Sequence, residues 1–398
     1  MSLSDMQVLV VEDHGFQRRM ALRMLGEIGV GTIHDAPGGV AALDMLQRMP
    51  EPPDVVLVDL DMPGMDGVEF IGHVAQGRLA RAIALVSAMD PALLAAVQSM
   101  ARAYGLAVLG SIEKPLTVEK LRSLLTSWEQ RLHSADEDDL VEVSLEEIRT
   151  ALLQDELVAW FQPQVEFLNG KVIAVEALAR WRQPGGRLVR AGHFVPLLER
   201  EGHSHKLTDS MLEQACRWKR QWDDQGMRLH LSVNVSPATL ADPAVADHYQ
   251  QMVCDHGVSP EEVMLEITEG SLVTDAARGL GVLARLRLKG FGLSIDDFGT
   301  GYSSLAQLSQ IPFTELKIDQ DFVSGASADP RKRAVIEASL DLARKLQLEV
   351  VAEGVETTED WQMLAELGCG VAQGYLIAAP VPGEDLPDAV ARWRRPDR

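Results

Sequence analysis

A set of polar side chains, Glu176, Asn234, Glu266, Asp296 with Asp297, Lys317, Glu353 and Gln373, recurs through the C-terminal part of the chain. Each closes a short apolar run where another apolar residue would serve packing better. Several carboxylates and one amide oxygen, with no histidine or cysteine among them, make a hard-oxygen donor set suited to Mg²⁺ or Mn²⁺ and poorly suited to zinc. Acids gathered this way repel one another unless cations lie between them. A pair of cations about 3.5–4 Å apart clamps the attacking and leaving oxygens of a phosphoester, so the expected chemistry is metal-assisted phosphoester hydrolysis. At any one position the competing reading is a helix cap or a solvated charge. Recurrence from run to run, and two adjacent carboxylates at Asp296-Asp297, favour a shared site.

A second cluster lies near the start. Glu12 and Asp13 follow one apolar run, Asp59 ends another, Ser87 ends a third, and Lys114 precedes Pro115. Three carboxylates on one edge call for a divalent cation, typically Mg²⁺. Asp59 is then placed to act as nucleophile and form an acyl phosphate, with Lys114 balancing the phosphoryl charge and the Ser87 hydroxyl donating to it.

Both clusters need elements to position them. From Gln7 onward, QVLVVED, TIHDA, DVVLVDL, AIALVSA and AVLGSIEK alternate with amphipathic helical stretches, and they predict a doubly wound (βα)5 flavodoxin-like domain over residues 1–130. A second series, LVAWFQPQVE, VIAVEALAR, LHLSVNVS, VMLEITE, GLSIDDF, ELKID, EVVAEGV and VAQGYLI, predicts a TIM-like (β/α)8 barrel over 144–398. Active sites in that fold gather at the C-terminal ends of the strands. Residues 131–143, acidic and without core periodicity, read as a linker. The tryptophans Trp218 and Trp222, at helical spacing, read as packing, and His203-Ser204-His205 as a solvated polar stretch between strands.

The balance of 59 acidic against 37 basic residues gives a formal charge of −22. With no basic stripe to oppose it, DNA is an unfavourable partner. Three distant cysteines suggest neither disulfides nor a thiolate metal site. No run reaches the ~18 apolar residues of a membrane helix, and the first residues do not resemble an export signal, so a cytoplasmic protein without a membrane partner is expected.

Taken together, the N-terminal motifs resemble the receiver domain of two-component response regulators, with Ser111 standing where that family often has an aromatic residue three positions before the lysine. The resemblance implies phosphorylation of Asp59 by a cognate histidine kinase. Glu176-Ala177-Leu178-Ala179-Arg180 resembles the signature of EAL-domain cyclic di-GMP phosphodiesterases. NVS at Asn234, EITE from Glu266, DDFGTGYSS from Asp296, KID at Lys317, EGVE from Glu353 and QGY at Gln373 follow in order. This implies hydrolysis of cyclic di-GMP to linear pGpG. By the same resemblance Glu176, Asn234, Glu266 and Asp296 are metal ligands, and Asp297 and Glu353 serve a second cation or its water. Glu353 is the general base, Lys317 positions water or stabilises phosphoryl charge, and Gln162, Arg180 and Gln373 contact substrate. Asp319 and Glu356 support the ligands, while Glu269 anchors a loop containing Gly299 and Gly301. A homo-oligomer is expected on the same ground. The competing expectation is a catalytically silent cyclic di-GMP effector or scaffold, distinguished by whether ligands, lysine and base all survive; here all are present.

Overall fold

The structure, a computed structural model, describes residues 3–87, 91–135, 143–268, 276–299, 308 and 310–396. The chain divides into two compact units, residues 1–140 and 141–398.

In the first unit β1 (Gln7–Val11), β2 (Thr32–Ala36), β3 (Val55–Asp59), β4 (Ala82–Ser87) and β5 (Ala107–Glu113) form a parallel sheet ordered β2-β1-β3-β4-β5. Alternate residues face opposite sides, which is why the strands read as continuous apolar runs. Leu9, Val11, Val56, Val58, Ile83 and Leu85 pack on one side, while Val8, Val10, Val55, Leu57, Ala84 and Val86 pack on the other. Helices α1 (Gly15–Ile28) and α5 (Val118–Ala135) cover the second side; α2 (Gly39–Leu46), α3 (Gly67–Gly77) and α4 (Pro91–Ala103) cover the first. The strand order reverses between β1 and β3, and a crevice at the strand C-termini forms at such a switch point. Glu12, Asp13 and Asp59 stand there.

The second unit begins with α6 (Leu145–Leu153), whose start is fixed by a capping box between Ser144 and Glu147. Eight strands close a barrel: β6 (Leu157–Glu166), β7 (Val172–Arg182), β9 (His230–Asn234), β10 (Val263–Thr268), β11 (Gly292–Phe298), β12 (Glu315–Ile318), β13 (Glu349–Ala352) and β14 (Val371–Gln373). They coincide with the eight runs read from the sequence. Two short strands lie outside the ring, β8 (Leu188–Arg190) on β7 and β15 (Val381–Pro382) on β6. Seven barrel strands run parallel, whereas β6 is antiparallel to both of its neighbours, β7 and β14. Helices α7 (Val195–Arg200), α8 (Ser204–Asp224), α9 (Val245–Asp255) and α10 (Ala276–Leu288), with those at Pro330–Leu346 and Thr358–Leu367, surround it.

Every second strand residue, Leu231, Val233, Leu265, Ile267, Leu293, Ile295, Leu316 and Ile318 among them, joins the apolar faces of these helices in one core. Trp222 is buried there, its ring edge-on to Phe161 and stacked on Trp218. The alternate positions face into the barrel, and they carry the polar residues of the site.

Candidate active site

Lys317 is fully buried at the centre of the barrel mouth. Its Nζ lies 2.6 Å from Glu353 Oε1, 3.0 Å from Glu266 Oε2, 3.3 Å from Asp296 Oδ1 and 3.4 Å from Glu176 Oε2. Asn234 Nδ2 donates to Glu176 Oε1 at 2.8 Å and to Glu266 Oε2 at 3.3 Å. Gln373 Nε2 donates to Glu176 Oε2 at 2.5 Å and to Gln162 Oε1 at 3.1 Å. Eight of the residues expected at the site are thus brought into one network. Glu176 reaches it from the middle of β7, not from a strand end as the sequence suggested, because β7 runs on past the mouth to pair with β8.

Consecutive strand residues normally point to opposite faces. Asp296 and Asp297 nevertheless both line the cavity. The register of β11 against β12 slips between Ile295 and Phe298, and Asp297 adopts a left-handed φ of 55°. Such a bulge re-aims a side chain at the expense of local strain. Asp296, Asp297 and Glu353 consequently offer oxygens that all lie within 4.8 Å of one another. Gly354, next to Glu353, has φ +65°, and a Cβ there would lie 2.4 Å from Gln320 Cβ.

One ammonium cannot neutralise four carboxylates, and their proton affinities reflect it. Burial, reinforced by Glu176, pushes Glu266 well above the usual carboxylate range. Burial raises Glu353 to about 8 against the pull of Lys317, and burial with the Asp296 charge raises Asp297 to about 7. For Glu176 burial acts the same way, but Lys317 and the Gln373 amide outweigh it and hold it low. Burial would lower Lys317; the ring, Asp296 foremost, raises it instead. Asp296 Oδ1 is buried 3.3 Å from the Lys317 ammonium but makes no hydrogen bond. Excess negative charge, a buried carboxylate oxygen without a hydrogen bond and an all-oxygen donor set fit hard divalent cations.

The network forms one wall of a cavity of about 670 Å³. Arg180, Asp319, Glu356 and the exposed Tyr375 also line it. Asp319 caps the following short helix, accepting from Asp321 N at 2.7 Å, and its carboxyl pairs with that of Asp297. Arg180 Nη1 donates to the Ala179 carbonyl at 2.8 Å. Gly299 has φ +101° and sits against Phe322. Glu269 and Gly301 lie outside the described residues. Ser204 corrects one expectation: it is 2% exposed and sits 2.5 Å from Ser236 Oγ, on the cavity wall rather than in solvent. Sequence reasoning also passed over Gln164, whose Nε2 donates to Gln373 Oε1 at 2.8 Å. Its spacing of two from Gln162, which puts both on one strand face, was the available signal.

In the first unit Lys114 Nζ bridges Asp59 Oδ2 at 2.7 Å and Glu12 Oε2 at 3.1 Å. Both acids are about nine-tenths buried or more, and the Lys114 backbone N–H donates to the Ser87 carbonyl at 3.1 Å. Burial raises Glu12 although Lys114 opposes it; burial would lower Lys114, and hydrogen bonds to Asp59 and Glu12 reverse this. Glu12 and Asp13, with His14, form a group of closely spaced metal-binding atoms.

The fold and the site define a receiver domain followed by a barrel whose mouth is ringed by carboxylates. Residues 145–380 match the EAL domain family, and residues 8–126 match the response regulator receiver domain family. The chain belongs to the EAL-domain family and carries a receiver domain ahead of it. It is 36% identical, over 97% of its length and 99% of the relative's, to the cyclic di-GMP phosphodiesterase RocR of Pseudomonas aeruginosa. The bifunctional diguanylate cyclase/cyclic di-GMP phosphodiesterase MucR of the same organism is 40% identical over 62% of this chain and 36% of that relative. The structure of the P. aeruginosa MucR phosphodiesterase in complex with c-di-GMP matches with a TM-score of 0.58, covering 61% of this chain and 98% of that one. Klebsiella pneumoniae BlrP1, in a complex with manganese and cyclic di-GMP, matches at 0.51 with 28% identity, covering 57% and 56%. Among the described residues no helix is long and apolar enough to cross a membrane.

Proposed function

We propose that the protein is a response regulator with phosphodiesterase activity, hydrolysing one phosphodiester of cyclic di-GMP to linear pGpG. The observation that carries this reading is the buried Lys317 ammonium within 3.4 Å of four carboxylates, three of which, Glu176, Asp296 and Glu353, line the cavity of about 670 Å³. Glu176, Asn234, Glu266 and Asp296 would hold one Mg²⁺ or Mn²⁺, and Asp297 and Glu353 a second ion or its water. Two bound ions supply positive charge for the phosphate oxygens and activate water at neutral pH.

The protein's own groups do the rest. A water oxygen attacks phosphorus while Glu353 accepts its proton. The P–O3′ bond breaks, leaving a 5′-phosphate and a 3′ oxygen that takes up a proton from solvent. A base of raised proton affinity suits that task. Lys317 keeps a fixed positive charge where negative charge grows on the phosphoryl oxygens, and burial strengthens it. Arg180, with its planar fork, is suited to a pair of phosphate oxygens, and Gln162 and Gln373 orient the substrate. Lys317 and Glu353 are both present and joined, which favours catalysis over a silent binding role.

In the first unit Asp59 is assigned as phosphoacceptor from a cognate histidine kinase, with one Mg²⁺ at Glu12, Asp13 and Asp59. The protein is assigned as a homo-oligomer, to be read by light scattering. The test of the main reading is incubation of the folded chain with cyclic di-GMP and Mg²⁺ or Mn²⁺, followed by chromatography for pGpG. No product with either ion sinks it.

A further inference from the structure

Two inward-facing residues beneath the site have no part in the chemistry above. Ser294 lies two residues before Asp296 on β11, and Glu315 two before Lys317 on β12, so each shares the inward face of its neighbour. The strand register puts Glu266 beside Ser294, and Ser294 beside Glu315. One row therefore crosses three adjacent strands. Its members are 1%, 0% and 6% exposed. Each keeps an oxygen with no hydrogen-bond partner in the protein: Glu266 Oε1, Ser294 Oγ and Glu315 Oε1. Glu315 is pushed up to about 7, chiefly by burial; the Ser294 hydroxyl lies near enough to oppose this but makes no hydrogen bond of proper geometry to the carboxylate, and the Lys317 charge opposes it as well.

Buried polar atoms are almost always paired, with protein or with ordered water. Three orphans in one row of the barrel interior call for a shared partner, and buried waters typically make about three hydrogen bonds. We propose that Glu266, Ser294 and Glu315 bind one internal water, which donates to the two carboxylate oxygens and accepts from the serine hydroxyl. Glu266 Oε2 is already held from the other side by Lys317 at 3.0 Å and Asn234 at 3.3 Å. With the water on Oε1 the carboxylate is fixed at both oxygens. Ser294 and Glu315 are thus positioning residues for Glu266, acting from the barrel interior. The water rests on the row itself and does not depend on which reaction the site performs.

Two measurements on the full-length chain test it. A crystal structure without added metal should show a solvent peak within hydrogen-bond distance of all three oxygens; an empty row, or direct pairing of the Glu266 and Glu315 carboxyls, overturns the proposal. Mn²⁺ binding, followed by the electron paramagnetic resonance signal of the free ion, separates positioning from packing. Glu315→Met and Ser294→Ala should raise the dissociation constant by about 3- to 10-fold, whereas Glu315→Gln, which keeps an oxygen acceptor, should stay within about twofold of wild type. The receiver's own metal site is common to all four proteins and cancels in the comparison. Equal behaviour of Glu315→Gln and Glu315→Met, or unchanged affinity in Ser294→Ala, refutes a positioning role.

Discussion

Lys317 Nζ and Glu353 Oε1 are 2.6 Å apart, the shortest of the four contacts that the buried ammonium makes with carboxylates. The pair joins the proposed base to the proposed source of fixed positive charge for the phosphoryl oxygens. Glu353→Gln keeps the shape and removes the proton acceptor, so kcat should fall by about 10²- to 10⁴-fold while KM changes little. Steady-state turnover of cyclic di-GMP measures both constants, and near wild-type kcat would remove Glu353 from that role.

Cation binding should release protons. Glu353 and Asp297 are raised to about 8 and about 7 in the absence of metal, so at neutral pH each carries a proton for part or most of the time. A carboxylate must lose its proton to ligate a cation, so affinity should rise as pH increases through this window. Calorimetric titration with Mn²⁺ at pH 7, in buffers of different ionisation enthalpy, should report roughly one proton or more released per chain. Heats independent of the buffer would contradict the linkage.

Chelation gives a simpler check on the same ions. EDTA should abolish turnover, and added Mg²⁺ or Mn²⁺ should restore it; undiminished activity in excess chelator would exclude a metal requirement.

For the receiver, Lys114 contacts both Asp59, the proposed phosphoacceptor, and Glu12. Wild type should take up phosphate from a small acyl phosphate donor in Mg²⁺, and Asp59→Asn should not. Intact-mass spectrometry distinguishes them, and equal labelling would refute Asp59 as acceptor.

Asp360 offers a stability test away from both sites. Fully buried, its carboxylate accepts from Gly325 N at 3.1 Å, Ser327 N at 2.9 Å and Thr357 Oγ1 at 2.7 Å. Burial works against the charge, but these donors outweigh it and hold the group below the ordinary value of 3.8. Asp360→Ala orphans buried donors and should cost about 3 kcal/mol in urea unfolding. Because the folded proton affinity is lowered, the contribution is full above the unfolded value and is lost as pH falls through the folded one. The gap between wild type and Asp360→Asn should therefore narrow only in strong acid; a gap that closes near neutrality would show another group at work.

All eight barrel strands were visible in the sequence, since β-branched runs ending in polar residues survive as local patterns. The direction of β6 was not, although Asn169-Gly170 between β6 and β7 carries the signal: it is a common hairpin dipeptide, and Gly170 has φ +72°. The polar residues of the mouth were legible because each interrupts an apolar run. Ser294 and Glu315 were not, because their relation to Glu266 depends on register between strands that are distant in the chain. Asp296 and Asp297 are adjacent in the sequence, and only the slipped register explains how such neighbours both line the cavity.

The reversed direction of β6 also decides where the chain enters the barrel. In seven strands the cavity lies at the exit end; in β6 it lies at the entry end, where Leu157 pairs with Trp181 beyond Glu176. The α6 lead into β6 is consequently joined to the rim that holds the carboxylates, not to the opposite opening, so this helix and the carboxylate ring share one end of the barrel.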